Sequence, residues 1–271
     1  MMIEQALWAA LTLLIIASAL PGQYRRYRFL IGAAGWFFFA VHWLIQPAHY
    51  VEIGDYVNVL LVLVVAVFCM IIAHTMYRNY KHYEDDGDIL LTITVAAALG
   101  GLFYYPFAKI EVLNTFLISM VTEQVVFILH LFSVPAQQIG WNRIELNDHA
   151  ITIILACTAI ESIAIFIGLI FCVRAPMKRT MVAFIASVPV IYALNMVRNV
   201  FVVVAYGYTW FGDQSFQIAH HLIAKIGSGI ALFAIAYIVL QMLPELLSAI
   251  DQLFAVVRRY LTTHHESEEQ L

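Results

Sequence analysis

Charged side chains are scarce in this chain. Only 12% of its 271 residues are Asp, Glu, Lys or Arg, 63% are hydrophobic, and the mean hydropathy is +0.85. That leaves too little polar surface to cover a soluble domain. The 14 Lys and Arg are scattered and outnumbered by 18 Asp and Glu, for a net charge of −4. No basic stripe exists, which sets nucleic-acid binding aside. Cysteine is sparse as well: Cys69, Cys157 and Cys172 lie inside apolar runs with no Cys-x-x-Cys pair. They fit neither a disulfide framework nor a zinc site, and are left as thiols open to chemistry.

What is present is a succession of apolar runs of about 20 residues, the length that crosses a ~30 Å hydrocarbon core. They fall near 3–20, 29–46, 56–77, 89–107, 151–173, 180–206 and 217–243. Glu4 stands at the start of the first run and Arg25, Arg26 and Arg28 follow it, the reverse of a cleaved signal peptide, so it reads as a retained span. An eighth run, 112–133, carries Asn114, Glu123, Gln124 and His130, an expensive set on a lipid-facing helix. The positive-inside rule places Arg25, Arg26 and Arg28 in the cytoplasm, Glu52 and Asp55 outside, Arg78 and Lys81 inside, and Arg174, Lys178 and Arg179 inside again. Both ends of 112–133 then lie outside. The fold expected is an all-α polytopic transmembrane bundle of about seven full spans, with 112–133 as a re-entrant or interfacial helix or a hairpin.

On this topology three reactive residue types share one depth. Cys157 lies six residues in from the outer end of the 151–173 span. Arg198 and His220 lie about eight and about three residues from the outer ends of theirs, which places all three within roughly 5 to 12 Å of the boundary. A thiol beside a cation and an imidazole is held toward the reactive thiolate. Each residue also has a plainer reading. A cysteine in an apolar helix is most often a packing residue, as Cys69 and Cys172 are expected to be. Arg198 is too deep to reach the interface and shares a helix face with Asn195, yet it also suits a structural counter-ion to Glu161 or Glu123. His220 and His221 begin a helix whose 220, 224, 227 and 231 face is His, Ala, Gly, Ala. Small residues at that spacing mark close helix packing and point His220 into the bundle. His221, with Lys225 and Ser228, faces another way, toward a polar cavity.

The string Ala156-Cys157-Thr158-Ala159-Ile160-Glu161-Ser162, then Asn195-Met196-Val197-Arg198-Asn199-Val200-Phe201, then a His at the head of the last span, resembles the exosortase and archaeosortase family of membrane cysteine transpeptidases. The wording is closest to the archaeosortase A subfamily. The likeness is specific over about 150–245 and general before it. It implies an enzyme that recognises secreted proteins by a C-terminal signal made of a short motif (Pro-Gly-Phe in that subfamily), a transmembrane helix and a basic tail. Such an enzyme cuts at the motif and passes the new carboxyl end to an acceptor, an archaeal phospholipid in that subfamily. Carried over onto this chain, Cys157 is the nucleophile, Arg198 the cation at the oxyanion, and His220, or its neighbour His221, the acid/base. Thr158, Glu161, Asn195 and Glu123 are supporting candidates. Ala159 departs from the family pattern, in which Gly follows the Cys-Thr pair.

The expected organisation is a single membrane domain. It comprises N-terminal transmembrane helices (1–111), an outer-side helix and loop (112–150), catalytic transmembrane helices (151–250) and a solvated cytoplasmic tail (251–271). The expected setting is the plasma membrane, with the active site near the extracellular face and no cofactor or metal. The competing readings are an intramembrane or rhomboid-like protease that hydrolyses without transfer, a transporter using the intramembrane charges, and a haem protein using His42, His74, His130 or His220. The scattered depths of those histidines and the lack of an internal repeat weigh against the last two.

Overall fold

The computed structural model describes residues 2–52, 56–82 and 87–268; Asp55 and the last residues of the tail lie outside them. The apolar runs become helices because a backbone in hydrocarbon must satisfy its own hydrogen bonds. In chain order these are α1 (Met2–Ala19), α2 (Arg25–Ile45), α3 (Pro47–Glu52), α4 (Tyr56–His82), α5 (Gly87–Lys109), α6 (Glu111–Leu131), α7 (Ile160–Cys172), α8 (Met177–Gly207), α9 (Lys225–Met242) and α10 (Pro244–Glu268). Six helical segments among the described residues are long and apolar enough to cross a membrane, and the protein is a multi-pass helical membrane protein. Two of the expected spans are shorter apolar helices, Glu4–Ala19 and Ile160–Cys172.

The 112–133 run is one of the six. It forms α6 as a single unbroken helix, so the hairpin form of the expectation is overturned. Its polar residues are accommodated individually: Asn114 donates to the Phe107 carbonyl at 2.9 Å, His130 donates from Nε2 to the Ala136 carbonyl at 2.7 Å, and Gln124 accepts from the Tyr192 hydroxyl on α8.

The chain divides into two compact units. The first takes in residues 1–101, 171–174 and 245–271. Its helices α1, α2 and α4 pack through Leu14, Phe29, Ile72 and Met76, and the Trp36 indole N–H is satisfied by Thr94 at 3.0 Å. Leu253 and Val256 of α10 join that core and Tyr260 rests against His74, so this part of the tail is a packed helix. Arg28 donates to the carbonyls of Ala17 and Ser18 at the end of α1, where the helix dipole favours a cation. Arg25 pairs with Asp88 at 2.8 Å, and Arg174 lies within electrostatic range of Arg28. Two of the arginine groups assigned to one membrane side thus meet at one end of this unit.

The second unit, residues 102–170 and 175–244, holds an element that the all-helical reading did not include. Residues after α6 form an antiparallel sheet of β1 (Gln137–Gly140), β2 (Arg143–Leu146) and β3 (His149–Thr152) in that order. Asn147 and Asp148 sit at φ +51° and +64° and form the two-residue hairpin turn that such angles suit. Ile144, Leu146, Ile151 and Ile153 enter a core with Val121, Val125 and Leu129 of α6 and Val202 and Val203 of α8. Gly207 ends α8 where a Cβ would lie 2.6 Å from the Leu146 side chain, so only glycine lets the sheet seat there.

Candidate active site

Cys157 is not in a membrane helix. The 151–173 span was expected to be helical throughout, but its first residues finish β3, and Leu155–Cys157 is a 3-10 turn. Ile151, Thr152, Ile153 and Ile154 are β-branched, which favours the extended backbone. Helix α7 starts only at Ile160 and runs for 13 residues, about 20 Å. The turn is self-closed: Cys157 N–H donates to the Ile154 carbonyl at 2.8 Å, and the Thr158 amide and hydroxyl both donate to the Leu155 carbonyl, at 3.0 and 2.7 Å. Thr158 is therefore buried in a structural contact.

The turn is also clamped from outside. Asn195 and Asn199, one helical turn apart on α8, both donate from Nδ2 to the Cys157 carbonyl, at 2.7 and 2.8 Å. Arg198 lies between them in sequence, three and one residues away, so α8 delivers the clamp and the cation together. Asn199 was not singled out from the sequence, although its i, i+4 relation to Asn195 was there to read. Removing one amide is expected to cost about 1 kcal/mol, because the second donor remains. Removing both, in Asn195→Ala with Asn199→Ala, leaves a buried carbonyl unpaired and is expected to cost about 2–3 kcal/mol, read as thermal unfolding in detergent.

Ala159 has φ +61°, the left-handed region that costs a residue with a Cβ roughly 1–2 kcal/mol. That conformation lets the chain turn from Thr158 directly into α7, whose Ile163 amide donates to the Ala159 carbonyl at 3.0 Å. Glycine's greater freedom in the unfolded chain takes back about 0.4–1 kcal/mol. Ala159→Gly is therefore expected to stabilise the protein slightly, and Ala159→Val to destabilise it. A lower unfolding temperature for the glycine variant would contradict this account of the turn.

Arg198 is half-buried, and its Nε is buried without a hydrogen-bond partner. Among the described residues no acidic side chain lies within salt-bridge distance of it, so neither Glu161 nor Glu123 serves as the counter-ion considered from sequence. Glu161 accepts a hydrogen bond from the Tyr104 hydroxyl at 3.1 Å. Glu123 is exposed on α6, where its neighbour Gln124 makes the contact to α8.

His220 lies in a π-helix, Gln217–Ala224, that runs directly into α9. Such insertions recur at functional sites because they re-aim side chains. Its ring stacks on Phe216, 5.1 Å between centroids and 14° between planes, and lies within electrostatic range of Arg198. His221 is exposed, its ring edge-on to that of His220.

A cavity of about 300 Å³ opens between α7, α8 and α9. Arg198, Asn195, Glu161 and Ala159 line it together with apolar residues such as Ile191 and Ile235. Gly227 and Ala231 also face it, and a Cβ on Gly227 would meet nothing within 4 Å. The small-residue face of α9 thus borders open space, not the tight helix contact expected. Elsewhere, His42 contacts Gln46 and Phe39, His74 contacts Tyr260, and His130 holds the Ala136 carbonyl. No cluster of three or more His, Cys, Asp or Glu suited to a metal occurs among the described residues. Cys69 is a buried residue of the first unit's core.

The family model described as Transmembrane exosortase matches residues 6–242, a stretch that contains the Cys157 turn, the α8 clamp and the π-helix. The chain belongs to the transmembrane exosortase family. It is similar to Archaeosortase A of Natronomonas pharaonis, 26% identical over 88% of this chain and 83% of the relative. It is also similar to Archaeosortase A of Haloferax volcanii, 27% identical over 92% of both chains. No solved structure matches it significantly. In this exosortase the site residues singled out from sequence all lie in the second unit: Asn195 holds the buried Cys157–Thr158 turn, Arg198, Asn195 and Glu161 line the cavity, His220 is within electrostatic range of Arg198 with His221 against its ring, and Glu123 is exposed on α6 away from the cavity lining.

Proposed function

We propose that this exosortase is a membrane cysteine transpeptidase that processes the C-terminal sorting signals of secreted proteins. One observation carries the reading: Cys157, itself buried, stands on a turn clamped by Asn195 and Asn199 rather than in a membrane helix, and the same stretch of α8 carries Arg198, which has no acidic partner within salt-bridge distance among the described residues. A structural cysteine needs no such clamp, and an arginine in this setting suits a charge that appears only during reaction.

In this mechanism the Cys157 thiolate attacks the carbonyl of the scissile peptide bond and Arg198 balances the negative charge on its oxygen. His220 gives a proton to the departing amine, leaving a thioester on Cys157. An acceptor hydroxyl, its proton taken by His220, attacks the thioester, releases the Cys157 thiolate and keeps the new carboxyl end as an ester. The apolar cavity is lined by Arg198 and by Ala156 and Ala159, which flank the Cys157–Thr158 pair, and an apolar setting disfavours water as the competing nucleophile. We place the site near the extracellular face of the plasma membrane, with a membrane phospholipid as acceptor and a Pro-Gly-Phe motif, transmembrane helix and basic tail as the signal.

The test is coexpression with a secreted reporter bearing that C-terminus, followed by gel mobility and lipid labelling. Cleavage with lipid gained supports the transpeptidase, cleavage without lipid makes it a protease, and an unprocessed reporter removes the proposed signal.

A further inference from the structure

We propose that the substrate segment preceding the scissile bond binds as a fourth strand, parallel to β3, along that strand's open edge. This rests on the transpeptidase reading and assigns how that enzyme holds its peptide.

The register exposes the edge. Ile153 N–H donates to the Asn142 carbonyl at 2.7 Å, and the Asn142 side-chain amide donates back to the Ile153 carbonyl. With Arg143 opposite Thr152, Ile144 opposite Ile151, and Glu145 opposite Ala150, the antiparallel alternation sends the backbone groups of Ile151 and Ile153 toward β2. The N–H and C=O groups of Ala150 and Thr152 therefore point out of the sheet on the far side. Neither residue has another backbone partner among the described residues, and Thr152 is exposed. An open edge is a ready template for an extended chain. The opposite edge, β1, is interrupted by an irregularity between Gln138 and Gly140, which spoils pairing there.

What selects the occupant is where β3 leads. Its last residue, Thr152, is five positions before Cys157 in the same chain. Helix α8 serves as a ruler for the rest. Tyr206 and Gly207 touch the sheet at His149 and Leu146, Asn199 and Asn195 hold Cys157, and Leu194 and Ile191 line the cavity. At ~1.5 Å per residue the clamp lies about 14 Å along α8 from the sheet contacts, and the cavity lining on α8 runs from Phe201 past the clamp to Ile191, about 9 Å beyond it. A peptide that enters along the sheet and continues as an apolar helix meets these features in that order. Its residues before the cut lie on the sheet side, which makes the pairing parallel. Extended and 3-10 rises put Thr152 about 14 Å from Cys157, so the paired residues lie about four positions before the scissile bond. Main-chain pairing reads shape rather than side chains, so this stretch of the substrate tolerates any residue that keeps its N–H.

Two measurements test this in the full-length protein. Thr152→Pro removes only the outward N–H, since proline is tolerated on sheet edges. At wild-type membrane level and unfolding temperature it is expected to slow reporter processing about tenfold; unchanged processing overturns the proposal. The second is disulfide capture with Thr152→Cys in a Cys157→Ala, Cys69→Ala, Cys172→Ala background, against single cysteines placed along the reporter. Capture at alternate positions centred about four residues before the cut is expected from strand pairing. No capture, or capture without alternation, overturns it even if the proline variant fails to fold. If Cys157→Ala alone leaves processing intact, it is the transpeptidase reading that has failed.

Discussion

Cys157→Ala is expected to abolish processing of a reporter with the C-terminal signal, by at least about a thousandfold, as loss of the attacking atom does in enzymes that form a covalent intermediate. The same substitution is expected to leave the fold nearly intact. The turn is held through backbone groups: Cys157 is gripped by its carbonyl from Asn195 and Asn199, and its N–H is paired with Ile154. None of these contacts uses the thiol, and alanine removes a single heavy atom. Activity and stability should therefore separate cleanly. The measurement is reporter cleavage over time, with membrane level and unfolding temperature of the variant alongside. Processing at the wild-type rate would make Cys157 a packing residue and remove the catalytic assignment altogether.

Arg198→Ala is expected to reduce processing by about a hundredfold to a thousandfold, the usual loss when a preorganised oxyanion partner is deleted. Its effect on stability distinguishes this role from a structural one. Breaking a buried ion pair strands the remaining charge and costs about 3–5 kcal/mol. Here no acidic partner lies within salt-bridge distance among the described residues, and the buried Nε has no hydrogen-bond partner, so removal strands nothing. The variant should accumulate in the membrane and unfold no earlier than wild type. Arg198→Lys should recover only part of the rate, because an ammonium on a shorter reach does not reproduce the planar fork of the guanidinium. A variant that is unstable but, per folded molecule, fully active would show Arg198 to be a structural cation.

The candidate residues could be picked out from residue types and order. Cys157, Arg198 and His220 stand out because a thiol, a deep cation and an imidazole are unusual in apolar runs; all three fall in the second unit, with His220 within electrostatic range of Arg198. Why Ala159 stands at its position was not readable: only the backbone shows that the residue after Thr158 takes a left-handed conformation. Asn199 was passed over because an asparagine beside an arginine has no distinctive pattern until its amide is seen on the Cys157 carbonyl. The Gly227 face was misread since small residues serve equally for close helix contact and for bordering a cavity, and the difference lies in what stands opposite.

The sequence by itself determined the membrane class and most of the helical segments, and it named the candidate residues, because hydropathy and rare polar residues are local properties. Tertiary structure decided the rest. An apolar run such as 150–159 satisfies its backbone as well in a strand and a tight turn as in a helix, provided that neighbours complete the hydrogen bonds. Here β2 and the two asparagines of α8 do so. That choice, made by packing rather than by composition, presents Cys157 on a turn at the end of a sheet instead of inside a helix.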